Sequence, residues 1–124
     1  MTVSGSFDIQ LEPQQDDFAP AGRMLINKEY SGALVGKGIG QMISKRTEQG
    51  ASVYSAIEEF TGTVEGKNGS FTLFHTGLMS ATSQELNVIV VEGSGTEELS
   101  GITGKLSIHQ NNGAHTYTFD YQLK

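Results

Sequence analysis

Cysteine and tryptophan are absent from this 124-residue chain, and proline occurs only twice. Without cysteine there is no disulfide framework, no thiol nucleophile and no Cys-type zinc site, a composition that suits a reducing compartment. Basic residues are scarce: eight Lys and Arg stand against fourteen Asp and Glu, for a formal net charge of −6. They are also scattered, which argues against the clustered cationic surface that a phosphate backbone demands. No apolar run is long enough to cross a bilayer, and Met1-Thr2-Val3-Ser4-Gly5 lacks the basic segment and apolar stretch of a secretion signal. The expectation is a single cytoplasmic domain over residues 1–124, without nucleic-acid or membrane partners.

Several chemistry-bearing motifs are missing too. His75, His109 and His115 are widely spaced and form no His-x-His or His-Glu-x-x-His string, so no metal site and no cofactor are expected. Gly36-Lys37-Gly38-Ile39-Gly40 lacks the Gly-Lys-Ser/Thr ending of a phosphate loop, and no Ser occupies a Gly-x-Ser-x-Gly elbow. The acid pairs Asp16-Asp17, Glu58-Glu59 and Glu97-Glu98 lack the alternating spacing of a calcium loop.

What the chain does have is sixteen glycines and a persistent period of two. Val3, Phe7, Ile9 and Leu11 alternate with Thr2, Ser4, Ser6, Asp8 and Gln10, which predicts a strand with one wet face. A long loop over 12–22, containing both prolines, is expected next. Further strands follow at 24–30, 34–42, 52–64, 71–79, 86–90, 99–103, 105–109 and 116–123, with no helix. Ile89 and Val91 are apolar beside Leu86, Val88 and Val90, so that strand is expected to be covered on both faces. Asn-Gly pairs predict tight turns at Lys67-Asn68-Gly69 and Asn111-Asn112-Gly113. About eight such strands with short connections predict an all-β fold, a small closed antiparallel β-barrel, because closure leaves no unpaired edge; a two-sheet sandwich is the alternative. Gly36, Gly38 and Gly40 stand at alternate positions, and Gly62 follows on another strand, where a small barrel bends sharply or leaves interior space open.

One polar constellation shares the phase of the apolar residues: Lys28, Tyr30, Tyr54, Glu58, His75, Tyr117 and Tyr121 among Met24, Ile26, Met42, Phe60, Leu73, Met79 and Phe119. A buried Lys or Glu costs several kcal/mol unless paired, so Lys28 is expected to meet Glu58, or the interior to hold water and ligand. A Glu in an apolar pocket has its pKa raised and can move a proton near neutral pH, as can His75. Glu58 and His75 are therefore the candidate catalytic pair, with Lys28, Tyr30, Tyr54, Tyr117 and Tyr121 as candidate ligand-binding residues. A filled core with a satisfied hydrogen-bond network is the competing account. The other phase, with Val53, Ile57, Phe74, Leu78, Ile89 and Val91, predicts burial outside the barrel and hence a homo-oligomer.

The glycine-punctuated stretch from Gly93 to Leu106, followed by His115-Thr116-Tyr117-Thr118-Phe119-Asp120-Tyr121, resembles the C-terminal half of allene oxide cyclase-type barrels. Gly22-Arg23-Met24, the segment Gly50 to Glu58 and the segment Gly69 to Gly77 resemble, more specifically, an uncharacterised bacterial domain-of-unknown-function family with that barrel. The cyclase resemblance implies a hydrophobic cup for a small molecule, with a carboxylate, here Glu58 by analogy, guiding ring closure. Two functions follow as expectations. The chain binds a small hydrophobic molecule, as a cofactor-independent isomerase or cyclase at its most active, or it is a non-catalytic homo-oligomeric interaction module.

Overall fold

The computed structural model describes residues 1–123. Its strands are β1 (Thr2–Gln14), β2 (Gly22–Gly32), β3 (Leu34–Arg46), β4 (Ser52–Val64), β5 (Lys67–Met79), β6 (Gln84–Val90), β7 (Thr103–Asn111) and β8 (Ala114–Gln122), with a single 3-10 turn at Glu97–Leu99. Every strand runs antiparallel to its chain neighbours, and β1 closes on β8. The architecture is the expected closed all-β barrel, not the sandwich.

Strict alternation builds the interior, since successive side chains on a strand point to opposite faces. Phe7, Ile26, Tyr30, Phe60, Phe71, Leu73, Val88, Leu106 and Phe119 are all buried. Phe71 packs between Phe60 and Phe119, with centroid distances of 5.0 Å and 5.9 Å, and such ring pairs add to the gain from area burial.

The two ends of the barrel differ. At one end Leu34, Val64, Leu99 and Ile102 are fully buried, because the 3-10 segment folds across the opening. At the other end, inward-phase residues stay in contact with solvent: Leu11 is 49% exposed, Met79 41% and Leu86 42%, while Met24, Met42 and Tyr54 are half-buried. The barrel is a cup with a plugged base and an apolar rim.

Glycine permits the tightest approach between strands. Gly36 and Gly62 sit opposite each other on β3 and β4 with φ of 152° and 158°. A Cβ on Gly36 would lie 2.2 Å from the Thr61 carbonyl oxygen, and one on Gly62 would lie 2.1 Å from that of Val35.

The structure corrects four expectations. Asn68-Gly69 is not a turn; the turn is Glu65-Gly66, with φ of 49° and 84° and Val64 opposite Lys67. Gly69 is needed inside β5, where a Cβ would lie 2.3 Å from the Thr96 carbonyl oxygen of the plug, and Asn68 is engaged by Glu97 and Glu98. The expected strand at 99–103 is mostly that plug, whose Leu99 and Ile102 are buried through a 3-10 turn. The loop over 12–22 is shorter than expected, because β1 runs on to Gln14 and Arg23 clamps Asp16 with two hydrogen bonds of 2.8 Å and 2.9 Å. Ile89 and Val91 are not covered: they are 41% and 38% exposed. The other Asn-Gly turn is as expected, with Asn112 and Gly113 at φ of 50° and 81°.

Gly66→Ala isolates backbone strain, because a Cβ there would meet nothing within 4 Å while φ is 84°. The expected result is a loss of about 1 kcal/mol in urea denaturation, the cost of a left-handed non-glycine residue. An unchanged midpoint would show that the turn relaxes to another type.

Candidate functional site

Three strands and one set of missing side chains assemble the polar cluster. Lys28 and Tyr30 project inward from β2, Glu58 from β4 and His75 from β5, each in phase with the apolar residues around it. Between β2 and β4 runs β3, whose inward positions at this level are Gly38 and Gly40. A Cβ on Gly38 would lie 2.0 Å from Glu58 Oε2. The bare inner wall of β3 is therefore what lets side chains of β2 reach across to β4.

Glu58 is completely buried, and three donors meet its carboxylate. Lys28 Nζ donates to Oε1 at 3.0 Å, His75 Nε2 lies 2.8 Å from the same oxygen, and Tyr30 donates its hydroxyl to Oε2 at 2.5 Å. Lys28 Nζ also stands 4.7 Å from the centroid of the Phe7 ring, a favourable cation–π position. Burial alone would raise the Glu58 pKa; the His75 hydrogen bond, the Lys28 charge and the Tyr30 hydrogen bond outweigh it and hold the carboxyl at about 2. Tyr30 moves the other way, well above the usual phenol range, through burial and the neighbouring Glu58 charge, so it remains a donor.

This reverses the expected electrostatics of Glu58. The sequence predicts a desolvated acid titrating near neutrality, but the paired donors keep it ionised, and such a carboxylate is a weak base at pH 7. An ionised carboxylate only accepts, so His75 Nε2 carries the hydrogen. Among the described residues no group bonds His75 Nδ1, which leaves that nitrogen as the cluster's open position.

The remaining sequence candidates lie elsewhere. Tyr54 does not touch the cluster; its ring lies across Gly77 near the rim, where a Cβ on Gly77 would be 2.1 Å from Tyr54 Cε1. Tyr117 belongs to the base: it accepts from the Leu34 amide at 2.8 Å and donates to the Ser31 carbonyl at 2.9 Å, and its ring packs edge-on against Tyr30. Tyr121 donates to the Glu65 carboxylate beside the turn, also at the base. Phe7, His115 and Gly38 belong to the surroundings of the cluster without being sequence candidates for it. Phe7 and His115 share the inward phase; the β1–β2 pairing brings Phe7 to Lys28, and the β1–β8 pairing sets His115 beside Phe7 with ring centroids 5.2 Å apart.

Open space lies above the cluster, not beside Glu58. A depression of about 440 Å³ at the rim is lined by Met42, Ser44, Ser52, Tyr54 and Met79, together with Lys45, Arg46 and Val53. A larger hollow of about 590 Å³ runs over β1–β3, lined by the solvated Asp8, Gln10, Asn27, Glu29 and Lys37 and also by Ile9 and Lys28.

Comparison with known proteins adds a family without an assigned chemistry. A solved structure of a protein of unknown function from Shewanella oneidensis MR-1 is similar along the whole length, with 35% identity, a TM-score of 0.94, and coverage of 100% of this chain and 97% of that one. No curated protein matches. Residues 3–121 match the model of a family described as protein of unknown function (DUF3224), and the chain belongs to that family.

Proposed function

We propose that the barrel is a binding cup for a small, largely apolar molecule, entered from the open rim. The observation that carries this is the set of inward-facing apolar side chains, Leu11, Met79 and Leu86 above all, left exposed over a base that is otherwise sealed. An apolar hollow above a few fixed polar groups is the usual form of a small-molecule site. The resemblance to allene oxide cyclase-type barrels supports the same reading.

Within this reading the expected roles of the catalytic pair change places. Glu58 is saturated by three donors and acts as a positioning residue that orients the His75 ring. His75, through Nδ1, is the group able to accept a hydrogen bond from an occupant. Isomerase or cyclase chemistry in this cup would run through His75. Tyr54 is a rim contact, whereas Tyr117 and Tyr121 brace the base.

The test uses 8-anilinonaphthalene-1-sulfonate as an apolar probe. Saturable binding is expected, weakened at least tenfold by Met42→Glu at the rim and unchanged by Ile57→Glu on the outer wall. Loss with Ile57→Glu and retention with Met42→Glu would move the apolar site outside the barrel and overturn the cup.

A further inference from the structure

We propose that the outer wall of β3–β6 is a self-association surface, on which two copies of this chain pair about a two-fold axis running along the strands between β4 and β5. The wall carries an unusual load of uncovered apolar side chains. Ile57 is 57% exposed and Ile39 60%, and Val53, Phe74, Leu78 and Ile89 are also exposed. Ile57, Phe74 and Ile89 lie on one register row and Val53 and Leu78 on another, with the small polar pair Ser55 and Thr76 between them. Large exposed apolar side chains gathered on one water-facing wall mark contact surfaces.

Charge placement identifies the occupant. The row through Val53 and Leu78 begins at Lys45 on β3 and ends at Glu85 on β6. A two-fold axis along the strands turns the β3 edge of one copy toward the β6 edge of the other. It sets Ile57 over the partner's Phe74, Val53 over the partner's Leu78, and brings Lys45 toward the partner's Glu85. Two sheets packed this way have nearly aligned strands, the common face-to-face arrangement. An axis across the strands would instead lay β3 on β3 and crowd Lys37 and Lys45 of the two copies together, which like charges oppose. The wall is thus complementary to itself in one orientation, as an isologous interface requires.

The proposal is tested by sedimentation equilibrium of the intact chain at micromolar concentration. The mass expected is twice the 13.3 kDa of one chain, falling to that of one chain for Ile57→Asp, with circular dichroism showing that the barrel is retained. Lys45→Glu and Glu85→Lys each weaken the dimer, and the two together restore it. Ile57 and Glu85 lie outside the rim depression, so Ile57→Asp and Glu85→Lys leave probe binding there unchanged and the two proposals fail independently. A monomer at 100 μM, a trimer or higher ring, or a double reversal no better than the single ones would overturn the two-fold pairing.

Discussion

Glu58→Gln is expected to lower the stability of the folded barrel by about 3–5 kcal/mol, the range for removing one partner of a buried ion pair. The loss arises because Lys28, which is 4% exposed, is left inside the barrel without the carboxylate it pairs with. Urea denaturation at neutral pH measures it. Adding Lys28→Met to Glu58→Gln should recover part of the loss, since the orphaned ammonium is then removed. The pH dependence supplies an independent readout. The Glu58 carboxyl titrates at about 2 in the folded protein against 4.5 for a free side chain. As pH falls below about 5 the unfolded chain takes up the proton first, so stability present above that pH drains away down to about pH 2. About 3 kcal/mol is at stake over this window, at roughly 1.4 kcal/mol for each tenfold difference in proton affinity between the folded and unfolded chains. Glu58→Gln should flatten that part of the acid limb. Equal stabilities and superimposable acid limbs would show that the carboxylate is not held by its three donors.

Gly62→Ala should be at least as severe, for a reason of space instead of charge. The added methyl would point at the Val35 carbonyl oxygen and at Gly36 Cα, 2.1 Å and 2.7 Å away, both on backbone that cannot swing aside. Overpacking and backbone strain together place the cost at about 3–5 kcal/mol. Gly36→Ala meets the mirror-image obstacle and should cost a similar amount, while the double variant should lose less than the sum, since one methyl already separates the strands. Soluble yield and thermal midpoint give the readout. A Gly62→Ala protein that melts within a few degrees of the parent would mean that β3 and β4 tolerate a wider spacing.

The period of two leaves β4 a choice between two faces, and pairing it with the strand that carries Phe71, Leu73 and His75 selects the face with Tyr54 and Glu58 as the inner one. Phe60 does lie opposite Phe71, although the turn between their strands sits three residues earlier than the Asn-Gly signal implies. Glu65 adopts positive φ despite having no special propensity for it, and no rule of local preference singles it out. The direction in which the Glu58 pKa moves is illegible for a different reason. Burial is predictable from phase, but the number of donors on the carboxylate depends on how β2, β4 and β5 curve around the bare β3. The division into plugged base and open rim is equally hidden, since it follows from the 3-10 segment, whose two apolar residues, Leu99 and Ile102, are too few to set a period.

The order of the strands also bears on how the chain reaches this state. All of the pairings except one join strands adjacent in the chain, most of them through connections of a few residues, so they form at little loop-closure entropy. The exception, β1 with β8, brings Thr2 beside Asp120 from nearly opposite ends of the sequence. That contact becomes favourable only once the intervening meander has curled round to present its two free edges. Until then Val3 and Phe7 on one edge and Phe119 and Tyr121 on the other lack their final neighbours, and the nascent sheet is open to capture by another chain. Closing the ring is therefore expected to come last in folding, and it removes the two edges through which another chain could pair.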